Sequence, residues 1–320
     1  MQELPESIIR LNASHRREIV EGVNRELAAR YVFPDLAAQV ATLLSGNLGS
    51  AAYDSITDAR EFAERLTCDA QSITGDKHLR IRHQVACQSH PAEEAEQPLA
   101  ELLAAWRPQC EETNFGVERV ERLQGNVGYI DLRGFNPVAL SGDAIVAAMT
   151  LVAHTRALIV DLRHCLGGDP AAVALMCSYL FDERTHLNSI YQRVPDRTDQ
   201  YWTLDWVPGK RFGQAKPLFV LTSSRTFSAA EEFSYNIQSH KRGTLVGETT
   251  RGGAHPGGWR WLAPRFEVFV PDGRSVSPIT NGNWEGVGVV PDVAAPEAHA
   301  FEVAQVLALK ALQPGAGEAM

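Results

Sequence analysis

The chain opens on helical periodicity. Between Arg16 and Val32, the residues Ile19, Val20, Val23, Leu27 and Tyr31 recur at spacings that place them on one helical face. A second helix is predicted from Pro34, whose fixed φ suits a first turn. A third starts at Asp58-Ala59-Arg60-Glu61, an acidic cap with a glutamate three residues on, and runs through Phe62 and Leu66 to Ile73. Three short amphipathic helices bury little alone, so residues 1–75 are expected to form a small bundle docked on a larger domain.

The period then changes. Thr74 to His78 is a polar turn, and Leu79 to Val85 alternates as a strand does. Cys87 to Gln97 is polar and acidic and reads as a surface loop, with a short helix from Leu99 to Trp106; residues 76–112 are thus a connection. From Phe115 onward strands and helices alternate. Val117–Leu123 and Val127–Leu132 suggest a hairpin about Gln124-Gly125-Asn126, Ala144–Val152 a helix, Ala157–Leu162 a buried strand and Pro170–Phe181 another helix. Residues 113–320 are therefore expected to be an α/β domain. Ile190 to Arg211, with Tyr191, Tyr201, Trp202 and Trp206, reads as a loop-rich aromatic segment, suited to walling a groove or to packing as a flap. Trp259-Arg260-Trp261, a strand pair around Pro271-Asp272-Gly273-Arg274 and a helix near Pro296–Leu312 complete the pattern, before a frayed tail, QPGAGEAM.

One stretch carries chemistry. Leu218–Leu221 is a short apolar strand, and a helix follows from Ser228 through Phe233 and Ile237 to Lys241-Arg242 and Gly243, with a further strand at Thr244–Val246. Ser228 thus stands where a strand turns into the first turn of a helix, beside unpaired backbone N–H groups and the positive end of the helix dipole. The same four residues, Ser228-Ala229-Ala230-Glu231, also spell a capping box, which needs no catalytic role.

Wider motifs break that tie. TSSRTFSAAEEF and GTLVGETTRGGAHP resemble the S41 family of serine peptidases, which includes tail-specific and tricorn-type proteases and a branch similar to interphotoreceptor retinoid-binding protein. NFGVERVERLQGNVGYIDLRGF, ALIVDLRHCLGGDP and NWEGVGVVPDV extend the likeness, in order, from about Tyr31 to Val293. The resemblance implies a crotonase-like β-β-α superhelix with a helical N-terminal bundle; the connection is too short for the PDZ domain of the tail-specific enzymes.

A serine hydroxyl needs a base within hydrogen-bond reach and a third group to orient that base. The tail-specific enzymes use a lysine about 25 residues after the serine, where this chain has Gly253, and Lys241 ends its helix too far away. The tricorn-type pattern, by resemblance, points to His78 as base and Glu285 as its orienting carboxylate, although Lys77 replaces the serine expected before that histidine. His255 is the other imidazole near the site, with loop structure or substrate contact as its expected role. Gly167-Gly168, after the strand Ala157–Leu162, allows positive φ and close approach, so the amides of Gly168 and Ala229 are the expected oxyanion donors.

Composition narrows the partners. A net charge of -9 over 320 residues argues against a nucleic-acid surface, and no stretch approaches the roughly 20 apolar residues of a membrane span. Five cysteines without metal-site spacing fit reduced thiols, and no H-E-x-x-H or phosphate-binding glycine motif is present, so no metal and no cofactor is expected. The resulting expectation is a cytoplasmic, cofactor-independent serine peptidase acting on peptides or proteins, with self-association into a homo-oligomer left open. The competing readings are a hydrolase of small esters or amides and a non-catalytic binder of a hydrophobic, retinoid-like molecule.

Overall fold

The structure, a computed structural model, describes residues 10–84, 98–263 and 265–313. The predicted loop Cys87–Gln97 and most of the predicted tail lie outside the described residues. The chain runs α1 (Ala13–Arg30), α2 (Pro34–Gly49), α3 (Ala59–Thr74), β1 (Arg80–His83), α4 (Leu99–Glu112), β2 (Val117–Leu123), β3 (Val127–Leu132) and α5 (Val138–Val152). It continues β4 (Ala157–Asp161), α6 (Pro170–Ser178), β5 (His186–Gln192), β6 (Arg197–Trp202), β7 (Leu218–Thr222), α7 (Ala229–Ser239) and β8 (Thr244–Gly247). The last elements are β9 (Gly257–Ala263), β10 (Phe266–Pro271), β11 (Gly273–Val276), β12 (Val293–Ala294) and α8 (Ala300–Ala311).

Two compact units result. The first comprises Met1–Ala95, Tyr191–Thr198 and His255–Arg274. Its helices start and stop as their sequences dictate: Asp58 accepts from Arg60 N and Glu61 N at 2.9 and 2.8 Å, and Gly75 closes α3 at φ 65°. Their apolar faces, with Val23, Leu27, Leu44, Phe62 and Leu66 fully buried, pack against Ile81, Val268 and Val270 of the antiparallel sheet β1-β10-β9. The division at residues 1–75, 76–112 and 113–320 therefore differs from the one found. The helices need an apolar partner surface, and strands from late in the chain supply it.

The second unit comprises Glu96–Ile190, Asp199–Ala254 and Ser275–Met320. Its six-stranded sheet has the order β12-β8-β7-β4-β3-β2, with β2 antiparallel to β3 and the other neighbours parallel. The apolar run from Ala157 to Val160 in β4 is explained by burial on both faces. Leu158 and Val160 join a core with Met149 of α5, Val173 of α6 and Phe233 of α7, while Ala157 and Ile159 face Ala300, Ala304 and Ala308 of α8. This is the mixed α/β fold expected.

Three local expectations change. Helix α4 extends six residues beyond Trp106, to Glu112, and α5 begins at Val138 rather than Ala144. The aromatic segment contains strand β6 and the end of β5, in a sheet of order β11-β5-β6. Finally, β10 and β11, which flank Asp272, belong to different sheets and do not pair as a hairpin, because β10 spends its two edges on β9 and β1.

Candidate active site

Ser228 is built from two adjacent strand ends. Residues after β4 and after β7 are tied together: Thr226 Oγ1 donates to Leu162 O at 2.8 Å, Ser223 Oγ to Arg163 O at 2.6 Å, and Phe227 N to Cys165 O at 3.2 Å. The end of β4 is itself fixed by Arg163, which donates from Nε and Nη2 to Asp161 and from Nη1 to Glu297 O. Burial of Asp161 opposes its ionisation, but Arg163 and Tyr129 outweigh that and hold its carboxyl below the usual range.

The serine emerges from this scaffold at φ 57° and ψ −124°, a conformation an L-residue rarely takes. An ordinary N-cap serine is extended, so Ser228 caps α7 from a backbone conformation that capping alone does not require. The capping box is formed, with Glu231 Oε2 accepting from Ser228 N at 2.8 Å. Yet Glu231 does far more. It is fully buried, and its two oxygens also accept from Gly253 N (2.9 Å), Gly252 N (2.6 Å) and Thr250 Oγ1 (2.5 Å). Burial pushes its carboxyl up, and these four donors oppose the shift. One buried carboxyl thereby locks the serine turn to the loop Thr250–Ala254.

Glu285 attaches to the other side of that loop. Its Oε2 accepts from Ala254 N at 2.5 Å, and neighbouring Trp284 donates from Nε1 to Gly253 O at 2.8 Å. A continuous path of backbone and carboxyl groups thus leads from Ser228 N through Glu231 and Gly253-Ala254 to Glu285.

The two glycines have separate steric reasons. Gly168 forms a parallel bridge with Phe135: Phe135 N donates to Gly167 O and Asp169 N to Phe135 O, at 2.8 and 2.7 Å. A Cβ on Gly168 would lie 1.9 Å from Phe135 O, and one on Gly167 would lie 2.7 Å from Ser228 Cβ and 2.8 Å from Ala229 N. In that bridge the Gly168 N–H points away from Phe135. Among the described residues neither it nor the Ala229 N–H, at the first position of α7, donates to a protein acceptor.

The two predicted histidines belong to the first unit and converge on one buried aspartate. His78 N donates to Asp76 Oδ1 at 2.9 Å, and its ring stacks on Phe269 with centroids 5.8 Å apart. His255 Nδ1 lies 2.8 Å from Asp76 Oδ2, which also accepts from Tyr31 Oη at 3.3 Å; Phe33 packs edge-on against the imidazole. An Nδ1–H donated to that Asp76 oxygen fixes His255 in one tautomer. Ser228, Gly167, Gly168, Ala229 and Glu285 are thus all in the second unit, and His78 and His255 in the first. Sequence reading missed Asp76 as a partner of His255 and missed three of the four donors on Glu231. An aspartate two residues before a histidine and a glutamate on an apolar helix face were the only signals.

The sequence model of Peptidase family S41 matches residues 126–295, and that of the N-terminal domain of peptidase S41 in eukaryotic IRBP matches residues 4–120. The chain is 27% identical over 179 residues to carboxyl-terminal-processing peptidase 1, chloroplastic, of Arabidopsis thaliana, covering 56% of this chain and 35% of that protein. In fold it is similar to a putative peptidase from Parabacteroides merdae, with a TM-score of 0.62, 17% identity, and 92% and 97% of the two chains covered. It is likewise similar to a photosystem II D1 C-terminal processing protease, with a TM-score of 0.53, 16% identity, and 94% and 98% covered.

Proposed function

Because the chain belongs to peptidase family S41, we propose that it is a serine peptidase that cleaves peptide bonds through an acyl-enzyme on Ser228. The observation that carries this reading is the strained Ser228 at the start of α7, with the uncommitted amide of Ala229 next in sequence and that of Gly168 brought near through Gly167. Ser228 Oγ bonds to the scissile carbonyl carbon while its proton passes to His78. The imidazolium returns that proton to the leaving amine as the C–N bond breaks, and water then repeats the sequence to release the acid. Glu285 orients His78, and the amides of Gly168 and Ala229 hold the oxyanion, each worth about 3 kcal/mol in the transition state. The family favours this reading over a binder of a hydrophobic molecule.

A second base is favoured by one observation. The 2.8 Å pairing of His255 with Asp76 is the carboxylate–imidazole arrangement that a general base uses. His78→Ala and His255→Ala decide between them: loss of at least about a thousandfold in kcat with His78→Ala alone supports His78, and full activity in that variant removes it. Intact-mass measurement after fluorophosphonate treatment tests the nucleophile. A single adduct that disappears in Ser228→Ala is expected; no adduct on folded wild type overturns the assignment.

No described helix is long and apolar enough to cross a membrane. A reducing, cytoplasmic setting fits the free thiols of Cys68, Cys110, Cys165 and Cys177, of which burial pushes Cys165 up to about 12. Self-association is addressed by sedimentation of the purified chain.

A further inference from the structure

The second unit carries a cleft of about 690 Å³ that begins at Gly168, the proposed oxyanion donor. Its size lies within the roughly 300–1,000 Å³ of ligand sites. One wall comes from α4. Leu99, Leu102, Leu103, Trp106 and Cys110 form a single apolar row on that helix, and Trp106, at 47% exposure, stands in the cleft. Leu166, 63% exposed, on the loop that leads from β4 to Gly167-Gly168, also lines the cleft. Two large apolar side chains of the lining thus remain in water, where burial under a ligand favours binding.

The backbone after β3 completes the lining. Among the described residues, Gly134 N–H and C=O enter no hydrogen bond, and the Asn136 carboxamide has no protein partner. Arg133 uses Nε and Nη2 on Asp131, which leaves Nη1 without a protein acceptor among the described residues. Apolar walls with a few unmatched main-chain and side-chain groups on the floor suit a peptide in extended form: its side chain goes between the walls and its amides meet the floor.

From these features we infer that the cleft is the subsite for a bulky apolar or aromatic side chain on the acyl side of the scissile bond. The inference rests on the peptidase reading, because Gly168 at the cleft's end would hold the carbonyl oxygen of that same substrate residue. Trp106 and Leu166 are the specificity-determining residues.

The test uses full-length Ser228→Ala protein, so that binding is read without chemistry. N-acetyl-Ala-Ala-Ala-Phe amide and its all-alanine counterpart are titrated by calorimetry. The phenylalanine peptide is expected to bind roughly tenfold more tightly or better, in line with the discrimination of apolar pockets. That preference should fall to about twofold or less when Trp106→Ala or Leu166→Ala is added; both residues are exposed, and an unchanged melting temperature checks that each variant is folded. No preference for phenylalanine, or a preference that survives both substitutions, overturns the inference. Fluorophosphonate treatment of the wild type reports separately on Ser228, so failure of the nucleophile and failure of the subsite are distinguishable.

Discussion

Glu232 makes a sharp stability prediction. It lies on α7 one turn after Ser228, is 3% exposed, and its Oε1 has no hydrogen-bond partner among the described residues. Burial pushes its carboxyl up to about 8, the nearby Asp169 charge adds to this, and Asn188 offsets part of it. The folded protein therefore keeps this proton at neutral pH while the unfolded chain, near 4.5, has lost it. Because the folded state binds more protons between those two values, stability falls as pH rises from about 4.5 to about 8 and is unaffected by this group outside that window. At 1.36 kcal/mol per pH unit, the loss is about 3 kcal/mol by pH 7 and about 5 kcal/mol once pH passes 8. Glu232→Gln has nearly the same shape and no proton to lose. Urea unfolding of both proteins at half-unit steps from pH 4.5 to 9 is the assay. The variant should match the wild type at pH 4.5 and exceed it by about 3 kcal/mol at pH 7, with an unchanged m-value. Parallel stability curves across the window, or a less stable variant at pH 7, would refute the argument by showing that the carboxylate is ionised and paired in the fold.

Three further outcomes follow from the same geometry. In Glu231→Gln one oxygen becomes an NH2 group that faces two N–H or O–H donors. The variant should lose about 2–6 kcal/mol of stability, read by urea unfolding, and label more slowly with fluorophosphonate. Gly168→Ala places a methyl group 1.9 Å from Phe135 O at φ 138°, so the loop must move: labelling of Ser228 and peptide turnover are both expected to vanish, even if soluble protein is obtained. Ser228→Gly relieves the left-handed strain and should melt higher, by about 1 kcal/mol in stability, while losing all turnover; a lower melting point would show that the elbow is unstrained.

Much of this architecture was legible because burial writes itself into periodicity. The spacing of Ile19, Val23 and Leu27 marked the first helix, and Asp58 and Gly75 marked the ends of the third. The apolar run from Ala157 to Val160 marked a strand covered on both faces. Ser228 was recognisable from its neighbours in sequence, since strand end, serine and helix start are contiguous. The strand content of the aromatic segment was hidden, because Tyr191, Tyr201 and Trp202 sit among polar residues without clear alternation and are ordered by pairing with strands elsewhere in the chain.

The sequence by itself determined most of the helices, the buried strands of the large sheet, the serine turn and the glycine pair, since each depends on residues within a few positions of one another. Tertiary structure alone decided the rest. Asp76 meets His255 across 179 positions, and Glu231 reaches Gly252 and Gly253 across 21 and 22. The three N-terminal helices close over strands that begin at Gly257. Such partners are selected by how the apolar faces pack, and hydrogen-bonding groups buried by that packing must take the acceptors it brings within reach.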